Sequence, residues 1–307
     1  MKTPFQNRVW TKRTAFTVME LLVAVSIMSL IVYALYHMFN QTQKALRGSI
    51  TQVDVLEAGR AALDMIGREL EQITATGIAG ATNLYAGSIP AIAPVVQSDL
   101  DEQQPLRTNV LQELFFVSRR TNTWVGTGYR ILGAQNGVGS LYRFTVSTNY
   151  RFISSNNLSG AYFTADPTNR ATGALSTNFH RVADGVIHMR LLAYDPQGRR
   201  IGVETTNFFH PQYRVLRQTL RQASLPVGTA NNVILREDVA RQTRLIFLSN
   251  ALPAYLELEF GVVEPDTLVQ YDSMRLASAS VAQDFLKKRA NKVHLFRQRI
   301  PIRTAWQ

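Results

Sequence analysis

The chain has 307 residues, 46% apolar and 9% aromatic, enough for a packed core in one large or two medium domains and too much for a disordered chain. Its 33 basic and 22 acidic residues give a formal charge of +11, so the basic surplus needs a location before it needs a meaning. Cysteine is absent, which excludes disulfides, thiolate catalysis and cysteine metal sites.

Residues 1–15 form a polar leader with Lys2, Arg8, Lys12 and Arg13 and no acidic side chain. They run directly into an apolar stretch, Phe16 to Phe39, whose one acidic residue is Glu20 near its start. As a helix this stretch is about 36 Å long, against roughly 30 Å of membrane hydrocarbon. The basic leader keeps the N-terminus cytoplasmic and sends the rest of the chain across the membrane. No small-residue cleavage motif follows the apolar run, so the segment is retained as an anchor rather than removed as a secretory signal.

Residues 40–76 continue as an amphipathic helix, with Val53, Leu56, Leu63, Ile66, Leu70 and Ile73 on the apolar face and Gly77 as its stop. Together with the anchor this predicts one helix over 16–76. Residues 77–105 turn to Gly, Ala, Ser, Pro and Asn, which predicts an exposed loop or linker. Residues 106–280 predict a β-rich head. Strands are expected in 110–119, 128–135 and 140–150, with a further one at 160–165. The segment 182–202 reads as a strand, a Pro-Gln-Gly turn and the start of a partner strand, and 251–264 alternates Leu256, Leu258 and Phe260 with Glu257 and Glu259. Between them, 203–250 is expected to be an insertion with one or two short helices. The last part, 281–307, is basic, and its HLFRQRIPIR alternates as a half-exposed final strand does.

The leader and TAFTVMELLV resemble the class III signal of type IV prepilins and type II secretion pseudopilins. Members of that family are cut just before a Phe or Met and carry a glutamate at the fifth mature position. Taking Phe16 as the first mature residue puts Glu20 on that glutamate. Ala15 precedes the cut where the family nearly always has Gly. The segment GRAALDMIGRELEQI, the strand VADGVIHMRLLAYD and ALPAYLELEF are similar to the J-type minor pseudopilins.

The resemblance implies cleavage between Ala15 and Phe16 by a prepilin peptidase, N-methylation of Phe16, and a role for Glu20 in filament assembly. It also implies an α+β fold: a long N-terminal α-helix, half transmembrane and half amphipathic, packed on a β-rich antiparallel-sheet head in the pilin-like manner. The implied function is that of a minor pseudopilin, a non-enzymatic subunit for tip assembly and initiation of a type II secretion pseudopilus. The alternative is a minor type IV pilin acting in pilus assembly, adhesion or DNA uptake. The implied place is a bacterial inner membrane, crossed once, with the head in the periplasm. The implied partners are other pseudopilins or pilins, the peptidase and exported substrates.

The residues themselves set alternatives beside this. Glu20 in a static anchor would only snorkel toward headgroups; a carboxylate in lipid otherwise calls for a cation at its own depth. The basic end, with Phe296 and Trp306, could contact nucleic acid or anionic lipid, but its alternation favours an edge strand. His37, His180, His188, His210 and His294 are dispersed without metal spacing, and no GxSxG or Walker sequence occurs. Asp99, Asp101 and Glu102 lack the wider ligand array of a calcium loop. No catalytic residue, metal or cofactor is expected, nor is a nucleic-acid partner.

Overall fold

The computed structural model describes residues 17–89, 92, 95–98, 105–154, 157–166, 178–201, 215–219, 232–237 and 243–303. The chain divides into two compact units between Thr51 and Gln52. Helix α1, Val18–Leu70, contains no proline and contributes to both. In the first unit its apolar side chains from Val18 to Phe39 are exposed on all sides. A helix apolar all round, long enough to cross a membrane and covered by nothing, matches lipid rather than water as its surroundings.

In the second unit α1 is followed by β1 (Thr82–Ser88), β2 (Val95–Ser98), β3 (Pro105–Asn109), β4 (Gln112–Arg120), β5 (Thr123–Leu132) and β6 (Gly139–Asn149). A 3-10 turn at Tyr150–Phe152 and helix α2 (Asn157–Thr164) lead to β7 (Phe179–Tyr194) and β8 (Arg200–Ile201). Then come β9 (Val215–Thr219), β10 (Val233–Glu237), β11 (Thr243–Leu248) and β12 (Tyr255–Val263). Helices α3 (Pro265–Ala277) and α4 (Ala279–Lys287) precede the last strand, β13 (Val293–Pro301).

Eleven strands make one sheet in the order β13-β12-β7-β6-β5-β4-β1-β11-β10-β9, with β8 beside β7; β2 and β3 pair separately. All these pairings are antiparallel except β9 with β10. The sheet curls at β7, which pairs with β6 up to Val186 and with β12 from Val186 onward. Gly185 sits at the bend with φ of 66°, a left-handed conformation that a residue with a Cβ adopts only at a cost. The curl brings Leu111, just before β4, into a parallel bridge with Met189 of β7.

On one face of the sheet, Leu63, Ile66 and Leu70 of α1 pack with Leu258, Phe260 and Ile300. Each such side chain, fully buried, contributes about 1.5–3 kcal/mol. The contact line of α1 is made by small residues. A Cβ added to Gly59 would lie 2.3 Å from the Phe296 ring, and one on Gly67 would lie 2.9 Å from the Gln298 side chain. The helix therefore lies directly against β13. Glu69 fixes it further: its carboxylate accepts from the Tyr129 hydroxyl at 2.6 Å and pairs with Arg143 at 2.7 Å. On the opposite face, α2 lays Leu158 and Tyr162 over Phe115 and Phe144. The α3–α4 hairpin closes a third cluster with Ile187, Val263, Tyr271 and Leu286.

The tail of α1, β1 and the end of β11 meet at Asn83, which is fully buried at an irregularity in the β1–β11 ladder. Its Oδ1 accepts from Thr76 N at 3.0 Å and Thr76 Oγ1 at 2.9 Å. Its Nδ2 donates to the carbonyls of Ser249 at 2.8 Å and Ala251 at 3.0 Å. Ser249 is the one non-glycine residue with positive φ among those described, at 59°.

The α+β layout is present, with an antiparallel sheet following a long helix. Several expectations need correcting. The 77–105 stretch is not loop throughout, because β1 lies within it, buried between β4 and β11, and β2 follows. Residues 160–165 belong mostly to helix α2 rather than a strand, because Leu158 and Tyr162 bury at a spacing of one helical turn. The described parts of 203–250 are strands, and β11 pairs directly with β1, so this stretch completes the sheet. Helix α1 ends at Leu70 rather than at 76, because Ile73 already bridges to Ser118 of β4 as extended chain. On its surface Val53 and Leu56 are exposed at 52% and 41%, while Val55, Gly59 and Ala62 are buried.

Candidate functional site

Ala15 and Phe16 lie outside the described residues; Thr17 onward is described. Glu20 occupies the third helical position of α1, and its geometry is a reciprocal cap. Glu20 Oε2 accepts from Thr17 N and from Thr17 Oγ1, each at 3.0 Å, and Thr17 Oγ1 accepts from Glu20 N at 3.3 Å. This is the capping box written Thr-x-x-Glu, which ties off helix-end N–H groups that lipid cannot hydrate. The signal was available in Thr17–Val18–Met19–Glu20, and sequence reasoning focused on the acid passed over it. The other oxygen, Oε1, accepts no bond from any described residue, so the carboxylate retains one face for a cation.

Most of the other polar side chains of the apolar segment, Tyr36 excepted, find partners within the helix. Ser26 Oγ donates to Leu22 O and Ser29 Oγ to Val25 O, both at 2.8 Å. Tyr33 and His37, one turn apart, meet at 3.1 Å. A helix closed on itself in this way carries few unmet polar groups into a bilayer. Glu20 alone keeps an unused charged acceptor.

Among the described residues the head offers two His–Glu pairs that look like acid–base machinery, His294 Nε2 with Glu264 Oε1 at 3.2 Å and the more deeply buried His188 with Glu259. His188 Nδ1 accepts from Val110 N at 3.1 Å, which places the ring proton on Nε2, 3.3 Å from Glu259 Oε2. Arg297 bridges Glu259 and Glu257 from the neighbouring β13. Both nitrogens of this buried ring are therefore engaged in joining β7 to β12 and to the segment before β4. The His188 hydrogen bond is the main cause that holds the Glu259 carboxyl down, from an ordinary 4.5 to about 2. A depressed carboxylate stabilises the fold above its unfolded value, and that stabilisation is lost as pH falls through the folded one. Thermal melts from pH 5 to pH 2 should therefore show a steeper loss of stability for the native chain than for Glu259→Gln. Equal slopes would mean that the pair does not contribute.

Among the described residues no group of three His, Asp or Glu side chains is placed to hold a metal ion. Asp99, Asp101 and Glu102 lie outside the described residues, as do His210 and Trp306. In the basic C-terminal segment most cations have partners inside the head. Lys287 pairs with Asp284, Lys292 with Glu264 and Arg297 with Glu257. Arg289 lies over the Phe285 ring at 3.7 Å, and Arg299 over Tyr194 at 5.2 Å. Phe296, a candidate for base stacking, packs against Gly59. The segment thus begins in α4 and supplies, through Val293–Pro301, the last strand of the sheet. Compared with known protein families, with curated proteins and with solved structures, the chain matches none.

Proposed function

We propose that the chain is a minor pseudopilin, closest to the J type, serving as a structural subunit at the tip of a type II secretion pseudopilus. The observation that carries this reading is Glu20: a carboxylate at the start of an uncovered apolar helix, with one oxygen held by Thr17 and the other unengaged among the described residues. Cleavage between Ala15 and Phe16 would free an α-amino group one helical turn before Glu20. In a bundle of such helices the amine of one subunit pairs with Glu20 of its neighbour, and N-methylation of Phe16 keeps that amine cationic. Two unlike charges in hydrocarbon attract far more strongly than in water, which makes the pair selective for correctly staggered helices. The second half of α1, held to the sheet through Gly59, Gly67 and Glu69, supports a head carried on the helix it assembles with. An eleven-stranded sheet is large for a repeated filament subunit, which favours the minor role.

Mass spectrometry of the N-terminus tests the reading. The expected product begins at Phe16 and carries one added methyl group. An intact Met1 on protein recovered from a membrane containing the peptidase would sink it.

A further inference from the structure

Between Glu113 and Asp166 the chain carries five arginines and no acidic residue. Two of the five are paired with acids from elsewhere: Arg130 with Glu113 at 3.1 Å, and Arg143 with Glu69 at 2.7 Å. The other three, Arg119, Arg120 and Arg151, are exposed and make no ion pair with any described residue. The fold gathers these three at one end of the sheet. Arg119 and Arg120 end β4, opposite Trp124 and Thr123 of β5; Thr123 in turn faces Asn149, which ends β6. The chain then turns through Tyr150–Phe152, tied back by Tyr150 N donating to Asn122 O at 3.1 Å.

Two aromatic rings stand among these cations. Phe152 is 74% exposed and Tyr150 42%. Arg119 is drawn over Trp124 and Arg151 over Tyr150, each 5.8 Å from the ring centroid, which steadies the guanidinium groups without neutralising them. Exposed aromatic rings sharing one end of the sheet with arginines that no described residue pairs have the anatomy of a protein interface, in which Tyr and Arg anchors are enriched. Among the described residues the missing component is negative charge.

We propose that this end of the head, built from Arg119, Arg120, Tyr150, Arg151 and Phe152, is a docking site for an acidic surface of a partner protein that offers an apolar recess to Phe152. The cations and the exposed rings share one short end of the sheet, two strand spacings or about 10 Å across, rather than lining a groove that would track a nucleic-acid backbone. Peripheral charges of this kind mainly raise the rate of encounter and exclude basic partners, while the ring supplies the anchor. The inference stands apart from the assembly role of Glu20 and survives if that role fails.

The test uses the full chain in detergent micelles and fluorescence anisotropy with four labelled probes: a peptide alternating glutamate and leucine, polyglutamate, a peptide alternating glutamine and leucine, and oligothymidylate. The glutamate–leucine peptide should bind, and the combined change Arg119→Ala, Arg120→Ala and Arg151→Ala should weaken it at least about tenfold. Phe152→Ala should weaken that peptide but leave polyglutamate unchanged. Lys287→Ala with Lys288→Ala, which removes exposed positive charge elsewhere, should have no effect. The altered residues are exposed, and an unchanged melting temperature confirms the fold of each variant. The proposal is overturned if the glutamine–leucine peptide binds equally well, if the lysine variant loses as much binding as the arginine variant, or if no peptide binding depends on the arginines. Arginine-dependent binding of oligothymidylate alone would assign the site to nucleic acid instead.

Discussion

On the proposed assembly role, Glu20→Gln should leave membrane insertion at the native level and reduce incorporation into purified filaments at least about tenfold. Glutamine isolates the charge, because it keeps an oxygen that can accept from Thr17 N and Thr17 Oγ1 and so preserves the capping box. The cap contributes about 1 kcal/mol, little beside the burial that holds an apolar helix in a bilayer. A carboxylate facing an amine in hydrocarbon is worth several times that, by the same reasoning that makes an unpaired charge there cost about 2.5–3.5 kcal/mol. Thr17→Ala provides the complementary measurement. It removes the hydroxyl partner and leaves the charge, so incorporation should fall only slightly. If Glu20→Gln assembles normally, the glutamate serves to finish a helix and has no part in joining subunits. Quantitative blotting of membrane and filament fractions reads both variants.

The second large effect is expected at Asn83. Asn83→Asp is nearly isosteric, yet it replaces the amide that donates to the carbonyls of Ser249 and Ala251 with a second acceptor. The buried Ala251 carbonyl loses its donor, the Ser249 carbonyl keeps Gly77 N at 3.0 Å, and both then face a buried carboxylate. The orphaned carbonyl costs about 1–3 kcal/mol and the unpaired buried charge adds to that, so a loss of about 3 kcal/mol or more is expected. At 2–4 °C per kcal/mol for a domain of this size, the melting temperature should fall by roughly 6 °C or more. Ser249 is held in its left-handed conformation by this joint, so Ser249→Gly in the same background should restore only about 1 kcal/mol. A melting temperature within about 2 °C of the native value for Asn83→Asp would show that the joint does not hold the head together.

How legible the chain was depended on where large apolar residues sit. The anchor was plain because its apolar residues are uninterrupted, and the strands at 112–120, 139–149 and 255–263 because bulky or β-branched residues recur in them. Strand β1, Thr-Asn-Leu-Tyr-Ala-Gly-Ser, was hidden by the composition of a turn. Its small residues are required by neighbours: a Cβ on Gly87 would lie 2.4 Å from the Tyr85 hydroxyl, so that ring folds over the glycine. The buried line of α1 is legible at Leu63, Ile66 and Leu70, and only its earlier part, at Val53 and Leu56, is misplaced for the same reason. Sequence patterns weigh Val53 and Leu56 above Gly59 and Gly67, but close approach to Phe296 and Gln298 demands the glycines. At the candidate site the acid was legible and its partner was not, although Thr17 lies only three positions away.

The joint at Asn83 also sets a timetable for the head. The residues it connects stand 168 positions apart, and the strand beside β1 comes from the same late part of the chain. Contacts so distant in sequence carry a large loop-closure cost and slow the search for the native state. During synthesis, β1 emerges early and waits for β11, while Gly59 waits longer still for Phe296. Until then the inner face of α1 and one edge of β1 are open to proteases and to mispairing. A nascent head of this design therefore stays incomplete until its C-terminal third has arrived.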